Sequence, residues 1–179
     1  MSARRLQVTI FLPESTGSVV QQVRLRYDPV MAERVAPHVT VVYEVPDQAV
    51  LTERLVAACA TTPRFRIRFS GPQCWDGEPD RGIYLPVEDT DRGIAGLRGA
   101  IIRPPLTEPA NLLYQPHLTV VHARTATVEM RRRAWSELSD WEVPRETVVV
   151  DSVTVMGESD HGWAKIESYR LGRNGVPAL

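Results

Sequence analysis

One short stretch occurs twice in this chain of 179 residues. The first copy reads Pro-His-Val-Thr-Val-Val and begins at Pro37, and the second reads Pro-His-Leu-Thr-Val-Val and begins at Pro116. Both copies are rich in β-branched residues, which favour extended strands. The two histidines, His38 and His117, are 79 positions apart. The repeat therefore predicts a chain with two similar halves.

The segments around the two copies also correspond. In each half the motif strand is expected to lead into a helix, near Asp47 in the first half and near Ala126 in the second. The expected class is α+β: a bilobal, pseudo-two-fold fold with an antiparallel sheet in each lobe, outer helices and a central groove. Residues 1–179 are expected to form one domain of two intertwined lobes, with residues 172–179 as a flexible tail.

The other elements follow from periodicity and from turn residues. Residues 14–17 are expected to form a turn, and residues 19–27 fit a helix or a strand. Pro86 interrupts the strand at residues 83–87, which favours an edge position for that strand. Helices are predicted to begin near residues 47, 89 and 126, and strands are predicted at residues 6–12, 38–45, 65–69, 83–87, 117–123, 147–156 and 163–171.

Composition excludes several classes of protein. The hydrophobic fraction of 43% and the charged fraction of 24% are typical of an ordinary globular domain. A formal net charge of −1 argues against a broad footprint on long nucleic acid. No apolar run suits a membrane span or a signal peptide. Cys59 and Cys74 lack the spacing of a metal or disulfide framework, so a cytoplasmic protein is expected. A monomer without a membrane partner is also expected.

Strand geometry brings a histidine and a threonine of each copy to one face. Residues i and i+2 of a strand point to the same side, so His38 lies beside Thr40 and His117 beside Thr119. One neutral imidazole can accept a proton while a second, protonated imidazole donates one to a leaving oxygen. Threonine hydroxyls can donate hydrogen bonds to phosphate oxygens. This set suits phosphodiester chemistry without a metal ion or another cofactor.

The paired motifs resemble those of the two-histidine (2H) phosphoesterase superfamily, in particular its 2′-5′ RNA ligase-like and cyclic phosphodiesterase branch. The resemblance implies a hydrolase that acts on 2′,3′-cyclic phosphates or related 2′-linked phosphodiesters, on nucleotides or at RNA ends, as in RNA processing. It also implies that His38 and His117 are catalytic, one activating water and the other protonating the leaving ribose oxygen. Thr40 and Thr119 are then the phosphate-binding residues.

Other aromatic and basic residues are weaker candidates for the site. Tyr114 and Arg124 flank the second motif strand, where they are candidate contacts to a phosphate or a base. Trp75 and Tyr84 are candidates for stacking on a base, although core or rim packing is the commoner role of such residues. The alternating row of Arg64, Arg66 and Arg68 is expected to face solvent, with the rim of an anionic cleft as the alternative.

The two remaining histidines are not expected to take part in catalysis. His122 follows His117 by five positions, which puts it on the opposite face of that strand. His161 lies in a turn between two predicted strands, where exposure to solvent is expected.

Two alternative interpretations of the motif residues are a binding module and a metal centre. A non-catalytic module could hold a nucleotide or an RNA end in the groove, although binding alone does not require two proton carriers. A metal centre on two histidines would lack the further ligands that zinc normally takes, because no Asp, Glu or Cys is suitably spaced beside either motif.

Overall fold

A computed structural model of the chain describes residues 5–45, 48–107, 113–159 and 162–172. Within these ranges the strands are β1 (Leu6–Phe11), β2 (His38–Val45), β3 (Phe65–Phe69), β4 (Gln73–Cys74), β5 (Ile83–Glu88), β6 (His117–Val121), β7 (Val148–Val150), β8 (Ser152–Ser159) and β9 (Gly162–Arg170). The helices are α1 (Glu14–Tyr27), α2 (Pro29–Arg34), α3 (Gln48–Thr61), α4 (Gly93–Ile101) and α5 (Val128–Leu138). The predicted start of a helix at Asp47, the turn residue His161 and residues 173–179 of the predicted tail lie outside the described residues.

The described strands pair in antiparallel fashion throughout the sheet. The order is β7-β3-β5-β6-β2-β1-β8-β9, and β4 pairs with β5 beside β3. The two motif strands, β2 and β6, are neighbours at the centre, where Val39 pairs with Leu118. A pseudo-two-fold axis between them relates β1 to β5, β8 to β3 and β9 to β7. The predicted α+β fold is confirmed.

The helices cross over between the two sides of this axis. Helix α1 packs on β6 and on α5, whereas α4 packs on β2 and on α3. Between the helices and the sheet lies an aliphatic core in which Val39, Val41, Leu118 and Val120 have no exposed surface. No helix in the described part of the chain is long and apolar enough to cross a membrane.

The first helix differs from the sequence prediction. Residues 14–17, predicted as a turn, form the first turn of α1. The helix buries Thr16, Val20, Arg24 and Tyr27, while Val19 remains 39% exposed. The buried stripe contains an arginine, so the apolar pattern alone did not distinguish this helix from a strand.

The prediction that Pro86 marks an edge strand is wrong. Strand β5 pairs with β6 on one side and with β4 and β3 on the other. Pro86 lies where the second partner changes from β4 to β3, so its missing N–H interrupts no continuous ladder. Its carbonyl is used, because the Ser70 N–H donates to it at 3.0 Å.

One further prediction needs correction, and another is confirmed. The predicted strand over residues 147–156 is divided at Asp151 into β7 and β8. Arg131 of α5 is 6% exposed and donates to the carbonyls of Ala123 and Ala126. Strand β3 alternates between buried and exposed residues as predicted, with its arginines exposed.

Candidate active site

The two motif strands present different chemistry on their two faces. Val39 and Leu118, with the aliphatic residues two positions on, are fully buried against the helices. The four motif side chains on the other face, those of His38, Thr40, His117 and Thr119, are all half-buried. This alternation arises from the period of two of a strand.

The pairing of β2 with β6 brings the four side chains into one patch. Because Val39 is opposite Leu118, an antiparallel register carried one residue to either side sets His38 opposite Thr119 and Thr40 opposite His117. Cβ atoms of directly opposed residues are about 5 Å apart. Each imidazole thus has one threonine beside it along its own strand and another across from it, on a face open to solvent.

Each motif histidine makes the same hydrogen bond to its own backbone. His38 Nδ1 lies 2.8 Å from the carbonyl of Ala36, and His117 Nδ1 lies 2.7 Å from the carbonyl of Gln115. Since a carbonyl only accepts, Nδ1 carries the hydrogen in both rings. The Nε2 atom of each ring is then the one that can gain or lose a proton.

Both imidazoles favour the neutral form. Burial lowers the pKa of His38 to about 4; the bond to Ala36 opposes this, and the positive charges of Arg24 and His117 lower the pKa further. Burial also lowers the pKa of His117, against the opposing effect of its bond to Gln115. His38 is therefore a proton acceptor at neutral pH.

Aromatic rings border both histidines, and they differ between the two sides. Trp75 stacks on Tyr84 with ring centroids 4.1 Å apart, and both meet the ring of His117 edge-on, at 4.8 and 5.7 Å. On the other side Phe11 meets His38 edge-on at 6.1 Å. Tyr84 is 5% exposed and is covered by Trp75, so Trp75 is the outer member of the stack.

The backbone carbonyls of the motif threonines, and the carbonyl of Val41, accept hydrogen bonds from three long side chains. Arg24 of α1 donates to the Thr119 carbonyl, and Arg98 of α4 donates to the Val41 carbonyl at 2.6 Å. Tyr114, a candidate substrate contact, donates its hydroxyl to the Thr40 carbonyl at 2.9 Å. These bonds could not be predicted from the local sequence, because each side chain bonds to a carbonyl that is distant in the chain.

The other candidate residues lie away from the four-residue patch or on its outskirts. Arg124 is exposed in the turn after β6, where its N–H donates to Nδ1 of His122. Arg66 forms an ion pair with Asp91. Arg68 donates to the Thr147 hydroxyl and borders a separate cleft that no motif residue lines. The arginine row of β3 is thus directed to solvent and to that cleft.

No group of three or more His, Cys, Asp or Glu side chains in the described ranges lies close enough together to hold a metal ion. The four motif side chains of the patch are two imidazoles and two hydroxyls. These are groups that carry protons and donate hydrogen bonds.

The central antiparallel sheet, with a histidine–threonine pair on each of two adjacent strands, carries the resemblance to the two-histidine phosphoesterases. The chain belongs to the 2′-5′ RNA ligase superfamily, whose family model matches residues 12–162. The resemblance inferred from the paired motifs is confirmed. Membership supports an enzyme with phosphodiesterase-type activity.

Solved structures with the same fold cover almost the whole chain. E. coli LigT complexed with 3′-AMP is 19% identical, with a TM-score of 0.63 over 95% of this chain and 99% of LigT. TT0787 of Thermus thermophilus is 17% identical, with a TM-score of 0.64 over 94% of this chain and 98% of TT0787. No curated protein matches the chain by sequence.

Proposed function

We propose that this protein is a metal-independent phosphodiesterase that hydrolyses 2′,3′-cyclic phosphates, or related 2′-linked phosphodiesters, on nucleotides or RNA ends. The observation that carries the proposal is the matched state of the two imidazoles. Both have Nδ1 bonded to the carbonyl two residues earlier, which leaves both Nε2 atoms for proton transfer beside two threonine hydroxyls. Membership of a phosphoesterase family supports the reaction class.

His38 is proposed as the general base and His117 as the general acid. Nε2 of His38 accepts a proton from water as the water oxygen bonds to phosphorus. As the bond from phosphorus to one ribose oxygen breaks, protonated His117 donates its Nε2 proton to that oxygen. Exchange with solvent then returns each imidazole to its starting state.

The surroundings of the two histidines support this assignment. A positive charge, that of Arg24, lowers the pKa of His38 and so disfavours its protonated form. For His117, burial lowers the pKa, and no positive charge in the described part of the chain adds to that effect. Protonation is therefore easier to stabilise at His117 when an anionic phosphate is bound.

Thr40 and Thr119 are proposed to donate their hydroxyl hydrogens to the non-bridging phosphate oxygens. Those oxygens carry the negative charge that grows in the transition state. The two threonines lie on the neighbouring strands β2 and β6, on either side of the Val39–Leu118 pair. They can therefore approach one phosphate from opposite sides.

A nucleotide-sized substrate fits the chain better than long RNA. The formal net charge is −1, which offers little attraction to an extended phosphate backbone. The related LigT was crystallised with 3′-AMP and with phosphate, which supports a phosphate-bearing nucleotide as the ligand. Trp75, at the outer side of the stack beside His117, is proposed to contact the base or ribose.

A substrate panel with matched histidine variants tests the proposal. The panel holds 2′,3′-cyclic mononucleotides, ADP-ribose cyclic phosphate and short RNAs with cyclic or 2′-5′ ends. His38→Ala and His117→Ala should each nearly abolish hydrolysis, whereas His122→Ala should retain it, and EDTA should have no effect. Undiminished turnover in the variant that carries both His38→Ala and His117→Ala would contradict the proposal. Tight binding without turnover across the panel would instead identify a binding module.

A further inference from the structure

The two motif strands share very little backbone pairing at the centre of the sheet. Strands β2 and β6 are paired through Val39 and Leu118 alone in the described part of the chain. By contrast, β1 pairs with β2 at five positions and β5 with β6 at four. Backbone bonds between β2 and β6 therefore do little to fix the separation of the two histidine–threonine pairs.

On one side of this central pair, Arg24 joins the two motif segments. Its Nη1 donates to the Val35 carbonyl at 3.1 Å, and its Nε donates to the Thr119 carbonyl at 3.1 Å. Arg24 has no exposed surface, so its guanidinium cannot touch substrate. Burial lowers its pKa to about 10 despite the nearby charge of Asp28, and it remains charged at neutral pH.

On the other side, Tyr114 makes the corresponding link. Its hydroxyl donates to the Thr40 carbonyl at 2.9 Å. The guanidinium of Arg98 lies over the Tyr114 ring, 3.5 Å from the centroid, and also donates to the Val41 carbonyl. The tyrosine ring is thereby held between the cation and the motif strand.

The two links occupy equivalent places in the repeat. Val35 precedes His38 by three residues, and Tyr114 precedes His117 by three. Each of these positions is linked to the carbonyl of the other motif's threonine, once through Arg24 and once directly by Tyr114. The same connection is thus made by two unrelated side chains.

We propose that Arg24 and Tyr114 are positioning residues that fix the separation of the two histidine–threonine pairs, a role that rests on the proposed function. Transition-state contacts to one phosphate require both pairs at a fixed spacing, and a misplacement of about 1 Å can cost about 100-fold in rate. The two side chains act through the carbonyls of Thr119 and Thr40, and neither reaches the reacting atoms.

Tyr114→Phe tests the link with the smallest change, because it removes one hydroxyl and leaves the ring under Arg98. It should lower kcat about 10-fold or more and leave KM within about 2-fold, because spacing matters most in the transition state. Tyr27→Phe is the matched control, since it deletes a buried tyrosine hydroxyl bonded to Glu137 between α1 and α5. The control should keep the wild-type kcat at a similar loss of stability.

Arg24→Lys tests the second link, since it keeps the charge and removes the fork that reaches two carbonyls. It should lower kcat in the same way. A readout independent of activity is the NMR titration of His38, whose pKa is lowered by burial and by the charges of Arg24 and His117. Wider strand spacing reduces the burial and the influence of His117, so the pKa of His38 should rise in Tyr114→Phe and stay unchanged in Tyr27→Phe.

The outcomes separate this proposal from the proposed function. Wild-type kcat in both Tyr114→Phe and Arg24→Lys, with an unchanged His38 titration, would overturn the positioning role. Failure of the wild-type protein to hydrolyse any substrate of the panel would overturn the proposed function. In that case the titration of His38 still decides whether the strand spacing depends on Tyr114.

Discussion

Each motif histidine is set for its chemistry by a bond within its own segment. Nδ1 of His38 donates its hydrogen to the carbonyl of Ala36, and Nδ1 of His117 donates to the carbonyl of Gln115. Both rings therefore have the same tautomer. The half-burial of the rings then lowers both pKa values. A local backbone bond fixes which nitrogen can gain or lose a proton, while the surroundings decide how readily it is protonated.

The lowered pKa of His38 predicts a pH-dependent stability. In the unfolded chain the imidazole takes up a proton near its ordinary pKa of about 6.5, whereas in the folded protein it does so only near pH 4. The unfolded state therefore binds more protons between these values, and stability falls as pH drops from about 6.5 to 4. We expect a loss of about 1–3 kcal/mol, because the imidazole keeps some contact with solvent.

The measurement is urea unfolding at pH 7 and at pH 4.5, for the wild type and for His38→Gln. The variant should lose less stability between the two pH values than the wild type. An equal loss in both proteins would show that another group causes the pH dependence.

The motif threonines should affect the rate more than the binding of substrate. Thr40→Val and Thr119→Val keep the shape of the side chain and remove the donor to the phosphate. Removal of one such donor costs at most about 100- to 1,000-fold in kcat, which is less than the loss expected for either histidine. Steady-state kinetics on a 2′,3′-cyclic nucleotide measures the effect. Thr61→Val is the control, because the Thr61 hydroxyl donates to carbonyls of its own helix, and it should behave as the wild type does. A larger change in KM than in kcat in the variants of Thr40 and Thr119 would argue against this role.

At the scale of elements, the loop between β3 and β5 brings Trp75 to the site. Gly82 ends this loop with a φ of +103°, and a Cβ there would lie 2.9 Å from the Val121 carbonyl. Gly82 thus allows the loop to lie directly against the end of β6, next to the ring of Trp75.

Gly82→Ala should displace this loop and move Trp75 away from His117. We expect a higher KM for the cyclic nucleotide, together with a loss of about 1–3 kcal/mol of stability from the strained backbone. Gly71→Ala is the matched control, since a Cβ at Gly71 meets no atom within 4 Å. Kinetics and thermal unfolding of both variants test this, and equal KM values would contradict the role of the loop.

The elements also show what sequence reasoning can reach. Helix α3 was predictable because its buried stripe, Leu51, Leu55, Ala58 and Cys59, is wholly apolar. Helix α1 was ambiguous because Arg24 occupies its buried stripe, and the partner that justifies this burial, the Thr119 carbonyl, is remote in sequence. Periodicity is local information, whereas the bonding of a buried arginine depends on the tertiary fold.

The same distinction applies to the candidate site. The common face of each histidine and its threonine follows from the period of a strand, and the repeat directed attention to both pairs. The contact between Trp75 and His117 could not be predicted, because it depends on where a loop settles after the sheet has formed. The prediction that Pro86 marks an edge strand was wrong for a similar reason, because the change of partner strand beside Pro86 is a property of the whole sheet.

At the scale of the whole molecule, the halves of the chain are interleaved. Strand β3 comes from the first half but lies on the side of β6, while β8 and β9 come from the end of the chain and lie on the side of β2. Helices α1 and α4 likewise pack across the pseudo-two-fold axis. Neither side of the sheet is made from one continuous segment.

This interleaving leads us to expect that residues 1–179 unfold as a single unit. A lobe that lacks its strands from the other half would expose unpaired edges and core residues, so partial unfolding is costly. Thermal unfolding followed by far-UV circular dichroism and by tryptophan fluorescence should give coincident transitions. Two separate transitions would indicate two independent lobes.

The near-symmetry of the central patch has a consequence for regioselectivity. In the proposed reaction, a phosphate between His38, Thr40, His117 and Thr119 would meet almost the same groups from either direction, so the patch alone would not distinguish the 2′ from the 3′ oxygen of a cyclic ester. Regioselectivity would then depend on the unequal aromatic neighbours of the patch. These are the Trp75–Tyr84 stack beside His117 and the single ring of Phe11 beside His38. Which isomer of the nucleotide is released would then be decided by how these unequal walls orient the ribose.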